Sequence, residues 1–416
     1  MKKKCKKISN HILIVSIIAI IMHLSLKKGI SQMNENNFKR KKMNLKTELY
    51  LHEIFKEFAG DELIDFHLHL LGLDEKKTGC YVNPGMKSIF QPVQYLKYNF
   101  YLKAGGIQSK KNPDDEYIKR LVSLARHTQF FVKTKYHLFA FDKFYNINGE
   151  QDLSRTRFYV SNDYMYSIAK KYPDIFIPVI SINPYRKDAL DALDKWAAAG
   201  VSYIKWLPNA MGINPSDNRI DNFYIKMREH KMILITHTGK EDAVNCGEYQ
   251  KLGNPLLLRK PLEMGVKVIA AHCASSGRNL DFENPDNKQT DNFDLLLRLL
   301  RETKYENLLF ADISALTQFN RMGKPLNTIL DNDNLHRRLV NGSDYPLPAI
   351  NMIIQTKKLR RNNFITDDER RILNEIYKCN PLLFDTVLKI ILKHPASGKK
   401  FNKKIFTGEN LLSSGV

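Results

Sequence analysis

The segment Leu63-Ile-Asp-Phe-His-Leu-His-Leu70 is the part of the sequence from which the fold can be inferred. Its apolar residues, interrupted by polar ones, are typical of a buried strand. Alternation along a strand places residues i and i+2 on one face, so the imidazoles of His67 and His69 can converge on a single metal ion. Such a pair also arises by chance in a chain with 12 histidines. The rest of the sequence therefore decides what the pair means.

Seven further apolar runs follow this strand and are separated by helical patterns, which is typical of repeated βα units. The eight predicted strands span residues 63–70, 136–141, 175–182, 201–206, 232–236, 266–271, 308–313 and 339–342. Eight strands joined by helices in a chain of 416 residues predict a closed (β/α)8 TIM barrel of the α/β class rather than an open doubly wound sheet. No Gly-x-Gly-x-x-Gly follows any strand, so a dinucleotide-binding fold is not favoured.

Polar residues that can bind a metal ion or carry a proton lie at the carboxyl ends of five predicted strands. They are His67 and His69 in the first strand, Lys205 in the fourth, His237 after the fifth, His272 after the sixth and Asp344 after the eighth. Active sites of such barrels are built at this face, so the six side chains are predicted to surround one cavity. Each has an ordinary alternative, such as a turn-initiating aspartate before Pro346, but their joint placement favours a metal site.

This set of motifs resembles the amidohydrolase superfamily of metal-dependent hydrolases, in particular its amidohydrolase-related branch, over roughly residues 60–390. The resemblance implies that the His-x-His pair and Asp344 bind one metal ion, and that His237 and His272 complete the site. For Lys205 it implies either a carboxylated lysine that bridges two ions or, as in members with one ion, a residue that is not a ligand. Both one and two ions per chain therefore stay open.

Imidazole and carboxylate ligands suit zinc and similar divalent ions, which bring the pKa of a bound water to about 7. The resemblance implies that Asp344 takes a proton from the attacking water and passes it to the leaving group. In a one-metal site, His272 would orient the water or stabilise the oxyanion. Asp65, two residues before His67, either orients a ligand or lies at the bottom of the barrel.

The predicted function is thus metal-dependent hydrolysis of an amide, ester, lactone or related bond in a small molecule. Two alternatives remain: a metal-dependent decarboxylase of the same fold, and a catalytically silent binding protein tethered to a membrane. The segment from residue 71 to about 135 is too long for a simple connector and predicts helices and a lid over the site. Arg186, Asn209 and Arg278 follow predicted strands and are the predicted substrate-binding residues.

The net charge of +21 is concentrated at the N-terminus, where residues 1–46 hold 12 Lys or Arg and one acidic residue, Glu35. Nucleic-acid binding is therefore disfavoured, because the charge is not spread over a folded face. The five cysteines show no Cys-x-x-Cys pairing, which excludes a zinc ribbon and gives no disulfide framework.

The chain is predicted to divide into four parts. Residues 1–30 combine a basic start with a mostly apolar run and predict a signal peptide or membrane anchor, hence export or membrane association. A translation start at Met33 or Met43 would instead leave the protein in the cytoplasm. Residues 31–58 are a predicted basic linker and first helix, 59–393 the barrel, and 394–416 a flexible tail. A homo-oligomer is left open.

Overall fold

The computed structural model of the protein describes residues 43–109, 111–350 and 352–414. The predicted signal peptide or anchor of residues 1–30, and the first part of the basic linker, lie outside these residues. Within the described ranges, no helix combines the length and the apolar character that crossing a membrane requires.

Eight strands form the centre of the molecule. They are β1 Leu63–His69, β2 Thr134–Phe139, β3 Phe176–Val179, β4 Tyr203–Trp206, β5 Ile233–Thr236, β6 Val268–Ala270, β7 Leu309–Asp312 and β8 Leu339–Val340. Each lies within or overlaps one of the eight stretches predicted from the sequence. The apolar, β-branched composition of these stretches suits strands that are covered on both faces.

The strands close into a barrel. Parallel pairing runs from β1 through β2 to β3, and from β4 through β5, β6 and β7 to β8. Parallel bridges between Ile180 and Ile204, and between Leu68 and Tyr345, join the two sets of strands at both seams. At the second seam, the His69 N–H donates to the Tyr345 carbonyl at 3.0 Å. The predicted (β/α)8 barrel is therefore confirmed by its own strand pairing.

Helices surround the barrel. Those of eight or more residues are α1 Leu45–Phe55, α2 Pro92–Ala104, α3 Pro113–Gln129, α4 Asn162–Lys171, α5 Ala189–Ala198, α6 Asp221–Glu229, α7 Asn292–Arg301, α8 Lys324–Asp331, α9 Asp367–Cys379 and α10 Pro381–Ile391. Shorter α-helical segments span Glu75–Thr78, Pro208–Met211, Arg259–Glu263, Asp333–His336, Thr356–Arg361, Lys404–Thr407 and Glu409–Leu412. Short 3-10 helices span Lys56–Phe58, Pro84–Lys87, Asn218–Ile220, Gly247–Gly253, Pro255–Leu258, Ala271–Ala274, Thr303–Tyr305 and Leu347–Ala349. Two antiparallel pairs, Tyr81–Val82 with Phe158–Tyr159 and Arg278–Leu280 with Gln289–Asp291, lie outside the barrel sheet.

Local sequence accounts for where these helices begin. The α9 helix starts with a capping box, in which the Thr366 hydroxyl accepts from the Glu369 N–H and the Glu369 carboxylate accepts from the Thr366 N–H. The α4 helix starts after Ser161, whose hydroxyl accepts from the Tyr164 N–H at 3.2 Å. Each cap satisfies donors that the first helical turn leaves unpaired.

The C-terminal segment differs from the prediction of a flexible tail over residues 394–416. Up to residue 414 the chain packs against the barrel, and Phe401, Ile405, Phe406 and Leu411 are buried. The Phe406 ring meets Phe58 edge to face, with ring centroids 5.9 Å apart. The buried apolar residues between the lysines of this segment pack it against the barrel, because burying apolar surface is favourable.

Candidate metal centre

The six polar side chains singled out from the sequence line one cavity at the carboxyl end of the barrel. They are His67, His69, Lys205, His237, His272 and Asp344. Barrel closure brings them together, because each lies in the last part of a strand or in the turn that follows it. Residues that are up to 277 positions apart in the sequence therefore line the same cavity.

Asp344 and Lys205 both lie close to the paired histidines of β1. Asp344 Oδ1 lies 2.9 Å from His69 Nε2 and 3.6 Å from His67 Nε2. Lys205 Nζ lies 3.4 Å from the same nitrogen of His67. In the group His67, His272 and Asp344, the ligand atoms all lie within 4.8 Å of one another. One cation can therefore contact all three residues.

Asp312, at the end of β7, fixes the orientation of two of these imidazoles. Its Oδ2 lies 2.8 Å from His67 Nδ1, and its Oδ1 accepts from the His272 N–H at 2.9 Å. The Ser314 hydroxyl donates to the same carboxylate, and its oxygen lies 2.7 Å from His272 Nδ1. Because a carboxylate can only accept hydrogen bonds, His67 carries its proton on Nδ1. The Ser314 hydroxyl already donates its hydrogen to Asp312, so its oxygen accepts from His272, which therefore also carries its proton on Nδ1. Both Nε2 atoms then keep a free lone pair, which is what a metal ion requires.

His237 provides a further observation in favour of a metal ion. Its Nε2 is buried and has no hydrogen-bond partner among the described residues. Its Nδ1 lies 3.5 Å from Glu241 Oε2, and its ring centroid lies 5.2 Å from that of His272. A buried polar atom without a partner costs free energy, and a cation bound at this nitrogen would remove that cost.

Burial sets the protonation states in the cluster. Loss of hydration lowers the pKa of His67 and of His237 well below the usual value, with a further contribution from the charge of Lys205. Burial likewise lowers the pKa of His272 well below the usual value. The pKa of Lys205 falls to about 8, because burial outweighs the attraction of nearby carboxylates, Asp312 first among them. Neutral imidazoles beside a carboxylate form a donor set that fits a divalent cation.

Backbone geometry at the carboxyl end of the barrel holds the ligands in place. Asp344 and His272 are in the left-handed region, with φ of 59° and 58°. The Asp344 N–H donates to the His67 carbonyl at 2.7 Å. Asp65 Oδ1 accepts from the His67 N–H and from the Ser343 N–H, each at 2.9 Å. Asp65 thus fixes the main chain that carries His67 and Asp344 and does not itself line the cavity.

Three residues of this region were missed by sequence reasoning. Asp312 and Ser314 follow the same i, i+2 pattern as the His-x-His pair, at the end of β7, so alternation alone could have found them. Glu241 lies four residues after His237 and lines the cavity, where burial raises the pKa of its carboxyl to about 7. Glu241 lies in a loop, where no strand periodicity predicts which way a side chain points, so the sequence did not indicate that it lines the cavity.

The structure differs from the prediction for the three proposed substrate-binding residues, none of which lines the cavity. The Arg186 guanidinium pairs with Asp142 at 2.9 Å and with Asp188 at 2.6 Å. The Asn209 amide donates to the Gln250 carbonyl at 3.1 Å and is buried beside that segment. Arg278 is exposed in an antiparallel strand pair outside the barrel.

The cavity has a volume of about 310 Å³ and a largely apolar wall. The apolar residues include Met86, Tyr98 and Tyr101 from the segment between β1 and β2, together with Phe141 and Leu347. The long segment after β1 therefore covers the site, as its length predicted. A volume of this size lies at the small end of the range for small-molecule sites, about 300–1,000 Å³.

No family model and no curated protein matches the chain. Solved structures similar to it include an uncharacterised TIM-barrel protein from Bordetella bronchiseptica, with a TM-score of 0.45 and 15% identity over 79% of this chain and 99% of that one. A protein described as a candidate 2-pyrone-4,6-dicarboxylic acid hydrolase from Pseudomonas putida has a TM-score of 0.41 and 13% identity, over 85% and 98%. A 5-carboxyvanillate decarboxylase from Sphingomonas paucimobilis has a TM-score of 0.38 and 9% identity, over 76% and 98%.

Proposed function

We propose that the protein is a metal-dependent hydrolase of the amidohydrolase type, which cleaves an amide, ester, lactone or related bond in a small molecule. The observation that carries the proposal is the convergence of four histidines, a lysine and an aspartate on one cavity at the carboxyl end of the barrel. Active sites of this fold are built at that end.

The residues proposed to hold one or two ions are His67, His69, His237, His272 and Asp344. In the one-ion form, His272 is not a ligand and acts on the water or the substrate. Zinc is the proposed metal, because neutral imidazole nitrogens and carboxylate oxygen are ligands that it prefers. When bound, a divalent ion supplies Lewis acidity, which lowers the pKa of water and polarises a carbonyl group.

Asp344 is the proposed proton carrier. Its carboxylate lines the cavity, and Oδ1 is 2.9 Å from His69 Nε2. This position supports a role in which Asp344 accepts a proton from an attacking water and returns it to the leaving group. Ser314 engages His272 at Nδ1 and Asp312 engages its backbone N–H, which leaves Nε2 to orient the water or the substrate oxygen in the one-ion form.

Lys205 decides between a site with one ion and a site with two. Its pKa of about 8 leaves a fraction of neutral amine near neutral pH, which is the form that can be carboxylated. As an unmodified amine 3.4 Å from His67 Nε2, it competes with a cation for the same space. Density beyond Nζ in an experimental structure would support the bridging role, and an unmodified amine more than about 4 Å from the metal would exclude it.

The test is metal analysis of the purified full-length chain and of the variant His67→Ala/His69→Ala. We expect one or two divalent ions per wild-type chain and their loss from the variant. A matched control is His52→Ala/His230→Ala, which removes two imidazoles that do not line the cavity. It should keep the full metal content. Full metal content in His67→Ala/His69→Ala would contradict the site assignment.

The same samples should be screened against esters, lactones, amides and phosphoesters, with carbon dioxide measured for carboxylated aromatic compounds. Metal-dependent hydrolysis supports the proposal. Carbon dioxide release without hydrolysis would instead identify a decarboxylase. Metal binding without turnover in either panel would favour a binding protein.

A further inference from the structure

We propose that Arg321 binds a carboxylate group of the substrate, so that the preferred substrate is a compact, largely apolar compound bearing one carboxylate. This inference rests on the proposed function, because it identifies the substrate class of the same cavity. Arg321 lies in the loop after β7 and lines the cavity together with Gln318, Phe319 and Asn320.

Arg321 is a buried cation, and among the described residues it has no ion-pair partner. The residue is 7% exposed, and its Nη1 donates to the Ser275 hydroxyl at 3.2 Å. In the part of the chain that the structure describes, its buried Nε has no hydrogen-bond partner. Burial of a guanidinium that no carboxylate contacts is unfavourable, and carboxylates farther away, Asp344 first among them, only partly offset it, so a bound anion would stabilise it.

Three carboxylates that line the cavity with Arg321 have other partners. Asp344 pairs with His69, and Asp242 Oδ1 pairs with Lys240 Nζ at 2.7 Å. Glu241 Oε1 accepts from the backbone N–H groups of Ala243 and Val244, and its Oε2 faces His237 Nδ1 at 3.5 Å. None of the three can turn to Arg321 without giving up these contacts. The guanidinium is therefore left for a group that enters the cavity from outside.

The loop that carries Arg321 is held in one position. The Arg321 N–H donates to the Gln318 carbonyl at 2.9 Å, and the Phe319 N–H donates to the Ile353 carbonyl at 2.9 Å. Ser275, which holds the guanidinium, is tied to His272 by a backbone hydrogen bond of 3.0 Å. Arg321 is thus fixed relative to the metal centre, as a substrate-orienting group must be.

The rest of the wall defines the remainder of the substrate. Tyr98, Tyr101, Phe141 and Leu347 offer apolar surface, and the cavity of about 310 Å³ limits the size of the compound. Lys205 is the other buried cation here, but its amine lies within the metal cluster. A carboxylate held by Arg321 would leave the apolar body against these side chains and the scissile bond toward the histidines.

The test compares benzoate with benzamide, its neutral analogue of similar shape, by isothermal titration of the full-length chain. We expect wild type to bind benzoate at least about ten-fold more tightly than benzamide, because hydrogen bonds to charged groups are the stronger kind. Arg321→Gln should bind the two compounds equally, and Arg321→Lys should keep part of the preference. Arg278→Gln is a control that removes the same charge from an exposed position.

Equal binding of both compounds by wild type, no binding of benzoate, or unchanged benzoate binding by Arg321→Gln would each overturn the inference. The last result would also be obtained if benzoate bound the metal ion and not Arg321. If Arg321→Gln does not fold, wild type and Arg321→Lys still decide the question. Metal content is measured on the same samples. Absence of metal would refute the proposed function, but the comparison of benzoate with benzamide would still test whether Arg321 binds a carboxylate.

Discussion

Replacing Asp312 by asparagine should weaken metal binding although Asp312 is not itself a proposed ligand. The carboxylate accepts from His67 Nδ1 with one oxygen and from the His272 N–H, the Ser314 N–H and the Ser314 hydroxyl with the other. The amide oxygen of asparagine is best placed toward the second, larger group of donors. Its NH2 group then faces His67 Nδ1–H, which places two donors against each other.

The expected consequence is a change of tautomer at His67. A proton moved to Nε2 removes the lone pair that faces Asp344 and Lys205. Loss of such a supporting partner costs metal affinity about 10–100-fold. This corresponds to about 1.4–2.7 kcal/mol of binding free energy. Ser314→Ala should have a smaller effect in the same direction. It removes the acceptor for His272 Nδ1–H and one donor to Asp312 Oδ1, but it leaves the Asp312 carboxylate against His67 Nδ1.

The assay is competition for zinc between the protein and a chromophoric chelator near neutral pH. Asp281→Asn is the matched control, because it removes a buried carboxylate whose partner, Arg298, lies outside the cavity. A zinc affinity of Asp312→Asn within two-fold of wild type, or an equal loss in Asp281→Asn, would refute this account of the imidazole orientation. If Asp312→Asn does not fold, Ser314→Ala provides the comparison.

Three further outcomes are expected. The first concerns metal removal: wild type in a chelator should have a free energy of unfolding about 4 kcal/mol lower than wild type in zinc at a thousand times its Kd. A denaturant titration measures the difference, and His67→Ala/His69→Ala should show none. The second concerns Lys205, whose pKa burial lowers from 10.5 to about 8 in the folded state. Below pH 8 the buried amine is charged and destabilises the metal-free protein. Between pH 8 and 10.5 the amine is neutral in the folded state but charged in the unfolded state, so the free energy of unfolding rises with pH. Lys205→Met should therefore raise stability at pH 7 by about 3 kcal/mol and abolish that rise, whereas exposed Lys195→Met should do neither. Phe406→Ala should lower the free energy of unfolding by about 3–5 kcal/mol, and Leu412→Ala, at a side chain that is 53% exposed, by far less; equal effects would mean that the C-terminal segment is not packed in solution.

The barrel and the six residues of the cluster could be predicted because both follow from local rules. Alternation fixes which strand residues share a face, and the carboxyl ends of parallel barrel strands always meet. His67 and His69 therefore had to face one side, and Lys205 and Asp344 had to join them once the barrel closed. The polar residues of the loops follow no such periodicity. Arg186 and Arg278 were chosen from the sequence only by position after a strand, and the structure pairs the first with Asp142 and leaves the second exposed.

The sequence by itself determined the number and order of the strands and the side chains presented at their ends, because strand periodicity is a property of neighbouring residues. Only the tertiary structure decided the partners of those side chains. Asp312 orients His67 across 245 positions of sequence, and Arg321 becomes a buried cation only because the loop after β7 folds over the cavity. Burial and pairing depend on contacts between distant segments, and these contacts set the pKa values, the imidazole tautomers and the unpaired charge.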